Sequence, residues 1–225
     1  MTDTNRVVIV GGHGKVALLA AGKLKSAGYA VDSVIRNPGQ SDAVRAAGGN
    51  PVVLDIESAD VDQLAAAFTG ARAVVFSAGA GGGNPARTHA VDYEAAIRAM
   101  AAASQAGVRR FVMVSYATAS TDVHRLDPGD SFYPYARAKH DADEKLREST
   151  LDYTILGPAL LTAEPATGKI TLTEDAGDDW PDNKRVTSRE NVAEAIAHVI
   201  KADAAVRQTV NFYDGDTPIA DVMSQ

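Results

Sequence analysis

The chain has 225 residues, 45% of them hydrophobic and 23% charged, which suits one domain, spanning residues 1–225, with a sizeable core and excludes a disordered or fibrous chain. With 29 acids against 22 bases the formal charge is −7, which repels phosphate backbones and anionic headgroups, so neither nucleic acid nor a membrane is an expected partner. Cysteine is absent, which removes disulfides, thiolate nucleophiles and Cys-bearing metal sites and suits a reducing compartment.

The opening Met1-Thr2-Asp3-Thr4-Asn5 is too polar for a signal peptide, and no apolar run reaches the roughly 18 to 20 residues of a spanning helix, so a cytoplasmic protein is expected. Arg6 to Val10 is a β-branched run that meets Gly11-Gly12-His13-Gly14 and then a helical pattern, Val16, Leu18, Leu19 and Leu24, closed by Gly28. Ala30 to Ile35 is a second apolar run ending at Arg36, which completes a βαβ unit. The alternation continues with strands over Val52 to Leu54 and Ala73 to Phe76, a helix over Val61 to Phe68 between them, and an alanine-rich helix over Val91 to Gln105. Further strands are expected over Arg110 to Val114 and Tyr153 to Leu156, separated by a helix over Pro134 to Glu148. Continuous apolar strands that each lead into a helix imply an α/β fold with a doubly wound parallel sheet.

Two connections, Ala78 to Arg87 and Thr118 to Phe132, are richer in Gly, Pro and polar residues than a simple link requires, and both follow strands at the sheet edge where such folds bind ligands. From about residue 157 to 225 the pattern is less regular, with strands over Lys169 to Thr173 and Thr209 to Tyr213 and a helix over Arg189 to Ile200 capped by Ser188. This segment is expected to form the substrate side of the pocket. Asp178-Asp179 reads as a solvated acidic loop, with Trp180 able to cover that pocket.

Gly11-Gly12-His13-Gly14-Lys15-Val16-Ala17 joins a hydrophobic strand directly to a helix. With glycine at the first and fourth positions, Gly11 permits the tight turn, Gly14 lets backbone approach a pyrophosphate, and Ala17, where a third glycine would stand, is small enough for helix to pack on strand. Arg36 ends the second strand where an NAD-selective unit places an acid, so a ribose 2′-phosphate, and hence NADP over NAD, is favoured. His13 and Lys15 could add positive charge beside the phosphates. Tyr135 and Lys139 stand four apart on one helix face, where an ammonium can lower a phenol's pKa and make the pair a proton donor and acceptor.

These motifs, with Ser77-Ala78-Gly79, Arg110-Phe111-Val112-Met113-Val114-Ser115 and Val186-Thr187-Ser188-Arg189-Glu190-Asn191-Val192-Ala193, resemble the short-chain dehydrogenase/reductase superfamily. The likeness is narrower to its atypical NAD(P)-binding branch, NmrA-like and sugar-epimerase-like. The resemblance implies a Rossmann fold in which Gly11, Gly12, His13, Gly14, Lys15 and Val16 wrap the pyrophosphate and Arg36 holds the adenosine phosphate. It implies that Asp55 and Ile56 flank adenine, that Ser77, Ala78 and Gly79 pass beneath the riboses, and that Pro158 sits by the carboxamide. Tyr135 is then the general acid/base, Lys139 its partner and a ribose ligand, and Ser115 or Thr118 a holder of the substrate oxygen.

The chain departs from that pattern at Tyr116, a bulky residue where a second small hydroxyl is usual. The expected function is NADP-dependent oxidation, reduction or epimerisation of a small substrate. Two alternatives stand beside it: a non-catalytic NAD(P)-sensing regulator, and a flavin or quinone reductase. The alanine-rich helix serves either the core or a homodimer face. No His or acid grouping has metal-ligand spacing, and no metal is expected.

Overall fold

Val7, Val8, Ile9 and Val10 are all inaccessible to solvent, because their strand lies mid-sheet with helices on both faces. The computed structural model describes residues 5–81, 84–175 and 185–224; Asp178, Asp179 and Trp180 lie outside them. Seven strands run parallel in the order β3 (Asn50–Val53), β2 (Ala30–Ile35), β1 (Arg6–Val10), β4 (Ala73–Phe76), β5 (Arg110–Val114), β6 (Asp152–Pro158) and β10 (Gln208–Asp214). Two antiparallel strands, β8 (Lys169–Leu172) and β11 (Thr217–Pro218), extend the β10 edge and bring the sheet to nine strands. A separate pair joins β7 (Leu160–Thr162) to β9 (Val186–Ser188).

This is the expected α/β, doubly wound architecture, with the strand order reversing between β1 and β4. Ligands in such sheets bind beyond the carboxyl ends of the strands at that reversal. One face is covered by α1 (Lys15–Ser26) and α8 (Arg189–Lys201), whose Leu24, Val192, Ile196 and Val199 pack with Val7, Ile9 and Phe212. Lys23 ties the two helices by ion pairs to Glu190 and Glu194. The other face is covered by α3 (Val61–Phe68), α5 (Ala96–Gln105) and α7 (Tyr133–Glu148). The alanines of α5 at 96, 99, 102 and 103 are fully buried against this face, so they serve the core.

The long connections are more structured than the sequence suggests. Ala119–Arg125 forms a short helix, α6, inside the stretch read as a loop. Asn84 caps another, α4 (Pro85–Thr88), by accepting from Arg87 N. The chain then passes through a π-helical stretch, His89–Ala95, before entering α5. Short segments with little periodicity, α2 (Ser41–Ala46), α9 (Ile219–Val222), β7, β9 and β11, are further additions. Ser188 caps α8 as expected, accepting from Glu190 N at 3.1 Å.

Candidate active site

Gly11 adopts φ +81°, and a Cβ there would stand 2.6 Å from Ala78 Cα, so only glycine lets the turn lie against the segment after β4. Gly12 holds the turn to the neighbouring strand. Its N–H donates to Val34 O at 2.8 Å, and a Cβ would lie 2.5 Å from Ser33 Cβ, so it packs the turn onto β2. Gly14 is the N-cap of α1 and has no side chain with which to cap it. No acid occupies the first helical turn, and exposed Lys15 adds a cation there. A helix amino end normally draws a side-chain acceptor or an anion, and this one has neither among the described residues.

Around this turn lies a trough of three cavities that share lining residues. The first, about 290 Å³, is bounded by Gly11, His13, Arg36, Asp55, Ile56, Glu57 and Arg87. It continues through Gly14, Ser77, Ala78 and Gly79 into the second, about 1160 Å³, which includes Lys15, Val16, Asp92, Tyr135 and Lys139. The second meets a third, about 890 Å³, at Ser115, Phe132, Tyr135, Leu161 and Arg189. Most of the expected residues thus line one channel along the carboxyl edge of the sheet. Gly12 lies behind it, and Pro158 faces the third cavity rather than the second.

The first cavity holds a charge arrangement that the sequence does not show. Arg36 Nη1 lies 2.6 Å and Arg87 Nε 3.1 Å from the same Glu57 Oε1. An acid therefore does stand at the end of β2, supplied by the segment after β3. Asp55 caps the local turn by accepting from Glu57 N, and Arg98 holds it from outside through the carbonyls of Ile56 and Glu57.

At the other end α7 presents Tyr135, Lys139 and Asp143 at four-residue intervals, hence on one face. Lys139 is 2% exposed and donates to Val114 O at 2.8 Å. The π-helical stretch delivers Asp92, 1% exposed, into the same neighbourhood, where Ala80 N donates to its Oδ2 at 3.0 Å. Burial raises the pKa of both Asp92 and Asp143, with Lys139 opposing the shift in each. Burial, then the charges of Asp92 and Asp143, also push Tyr135 well above its ordinary value. This runs against the expected lowering by Lys139: burial is the largest cause of the rise, and the charges of Asp92 and Asp143 add to it. The Ser115 hydroxyl donates to Asp143 Oδ2 at 2.5 Å, an engagement the sequence does not suggest.

Tyr116 makes ring contacts with both Phe132 and Tyr135. Its Oη is buried with no hydrogen-bond partner in good geometry, although the Asp122 carboxylate faces it. Among the described residues no three His, Cys or acidic side chains are grouped to hold a metal, and no helix is long and apolar enough to cross a membrane.

A family profile described as NAD(P)H-binding matches residues 11–203. The chain belongs to this NAD(P)H-binding family. It is 30% identical over 222 residues to an uncharacterized sugar epimerase of Bacillus subtilis (strain 168), covering 98% of this chain and 99% of the relative. A solved Bacillus halodurans protein, provisionally named an NAD-dependent epimerase/dehydratase, is 33% identical with a TM-score of 0.86, covering 98% of this chain and 99% of that one. A Veillonella parvula short-chain dehydrogenase/reductase solved with NADP shares the fold at 21% identity, with a TM-score of 0.70 over 94% of this chain and 95% of that one. The family accounts for the glycine turn, the channel and the sheet order. Arg87, Glu57, Asp92 and Asp143 are the site residues that sequence reasoning passes over, because their meeting depends on loop paths and on one irregular helical turn.

Proposed function

We propose that this family member is an NADP-dependent oxidoreductase or epimerase acting on a small substrate, with Tyr135 as the proton donor and acceptor and Lys139 beside it. What carries the reading is the continuity of the channel. It runs from two guanidiniums, past an uncapped helix amino end, to a buried phenol and ammonium.

The residues present fit a dinucleotide. The amide groups at Gly14, Lys15 and Val16 suit a diphosphate, Arg36 and Arg87 suit a 2′-phosphate in competition with Glu57, and Ser77 to Gly79 pass along the riboses. A bound nicotinamide dinucleotide supplies or takes up hydride. In the reducing direction Tyr135, which lines both the second and the third cavity, gives its proton to the substrate oxygen. Lys139, fixed by Val114 O, keeps positive charge next to the phenol as the proton leaves. Phe132 and Leu161 line both the second and the third cavity. The Veillonella protein's NADP complex is consistent with this choice of coenzyme.

The test is titration of the protein with NADPH and NADH, alongside Arg36→Ala and Tyr135→Phe. A tenfold preference for NADPH that disappears in Arg36→Ala supports the coenzyme assignment; equal affinities overturn it. Tyr135→Phe should bind NADPH normally and lose about 10²- to 10⁴-fold in turnover, the usual contribution of a positioned acid. Turnover that persists unchanged in Tyr135→Phe would favour the flavin or quinone reductase, and NADPH binding with no turnover in the wild type would favour the non-catalytic regulator, a reading that the engagement of the Ser115 hydroxyl by Asp143 also suits.

A further inference from the structure

We infer that the third cavity takes a planar, conjugated carbonyl compound bearing a carboxylate; this rests on the proposed oxidoreductase reading and names the substrate class for the same site. Three rings meet at its mouth. The Tyr116 centroid lies 5.7 Å from Phe132 and 5.4 Å from Tyr135, and Phe132 lies 5.2 Å from Tyr135. Phe132 is nevertheless 43% exposed, and Leu160, on the same cavity, is 67% exposed. Those two are half of the large apolar side chains left exposed among the described residues. Scattered apolar exposure is ordinary, but exposed apolar groups gathered on one concave surface mark a ligand site.

The polar lining supplies the other half of the recognition. Arg125 and Arg189 both face this cavity, and neither has an ion pair or hydrogen bond among the described residues. Arg185 is already engaged, with its guanidinium 6.0 Å from the Tyr213 ring centroid. Two acids, Asp122, which accepts from the Thr118 hydroxyl, and Glu174, stand on the wall against three guanidiniums, Arg125, Arg185 and Arg189. Forked, weakly hydrated guanidiniums bind carboxylates well and also stack on flat rings.

Arg189 belongs to both the second and third cavities, as does Tyr135. A flat acceptor lying against Phe132 and Tyr116 can therefore present its carbonyl to Tyr135 and its carboxylate to Arg189 and Arg125. In the reaction a C–H bond forms as the carbonyl carbon takes hydride from the reduced coenzyme. The C=O π pair moves to oxygen, which takes the Tyr135 proton, and solvent returns a proton to Tyr135. The acceptor is reduced to the alcohol and the coenzyme oxidised.

The test is calorimetric titration of the NADP-loaded full chain with 4-acetylbenzoate, its neutral counterpart 4-acetylbenzamide, and the flexible keto acid levulinate. We expect 4-acetylbenzoate to bind at least tenfold more tightly than either of the others. Arg189→Gln should abolish the preference for acid over amide while leaving the amide's affinity unchanged, and Phe132→Ala should weaken both aromatic ligands. NADPH affinity is measured in parallel, so that the acid-to-amide comparison is made on protein that holds the coenzyme. Equal binding of acid and amide by a protein that binds NADPH overturns this inference alone. A wild-type protein that fails to bind NADPH overturns the coenzyme reading and this inference with it.

Discussion

Ser115 Oγ donates to Asp143 Oδ2 across 2.5 Å, joining the end of β5 to the middle of α7. The other carboxyl oxygen of Asp143 is buried without a partner. The hydroxyl that the family pattern offers to substrate is thus committed to an acid behind it. Ser115→Ala would leave Asp143 without either contact, and an unsatisfied buried group costs about 1–3 kcal/mol. The expected result is a lowered melting temperature with a smaller loss of turnover than Tyr135→Phe shows. Thermal denaturation and initial rates measured on the same preparation check it, and a variant that keeps its stability while losing all turnover would refute it.

Asp143 also gives stability a pH dependence with a definite sign. Burial raises its folded pKa above the ordinary value of 3.8, so the folded chain holds this proton more tightly than the unfolded chain. Between those two pKa values folding takes up protons, and stability falls as pH rises through the window, levelling off above it. Asp92 acts in the same direction. Asp143→Asn should flatten the slope, leaving only the Asp92 part. Urea denaturation in steps from about pH 4 to pH 8 measures it, and an unaltered slope would exclude Asp143 as a source.

Glu57 competes with any anion brought to Arg36 and Arg87. Glu57→Gln should tighten NADPH binding by up to about fivefold while NADH changes little, the range expected for one exposed to half-buried ion pair, about 1 kcal/mol or less. Fluorescence titration with both coenzymes reads the difference. A loss of NADH affinity would instead assign Glu57 to the ribose hydroxyls.

Arg110 carries the load at the opposite edge of the sheet. It is 6% exposed and donates to Asp152 O, Thr154 Oγ1, Val199 O and Ala204 O, so one guanidinium fastens β5 to β6 and to the end of α8. Arg110→Met removes every one of these donors from neutral acceptors, each costing about 1–3 kcal/mol where it is left buried and unsatisfied, and should lower stability by several kcal/mol. Chemical denaturation measures the loss, and a variant within about 1 kcal/mol of wild type would show that the apolar packing alone suffices.

The sheet was readable because its inner strands must be apolar on both faces: Arg6–Val10, Ala30–Ile35, Ala73–Phe76 and Arg110–Val114 stand out from their polar flanks and were found with those bounds. The helix at Val61–Phe68 was equally plain, helped by Asp60 and Gln63, which form a capping box. Strands of two or three residues such as Thr217–Pro218 and Val186–Ser188 leave no periodicity to read. Ala119–Arg125 hid among residues that serve turns as readily as helices. At the site, the glycine turn and the Tyr135/Lys139 pair were visible because their parts are neighbours in sequence. Glu57 and Arg87 were not, since 30 positions separate them and only the fold brings them together.

Between His89 and Ala95 the backbone winds more widely than an α-helix, and Asp92 sits within that stretch. Removing one residue there would restore the tighter winding and leave the flanking turns nearly in phase, because the wide turn absorbs one residue, so the position lost is one within the stretch that carries Asp92. Relatives could therefore be sorted by spacing: a chain that counts one position fewer between the glycine that follows β4, here Gly79, and the alanine ladder of α5 should lack a carboxylate facing the lysine.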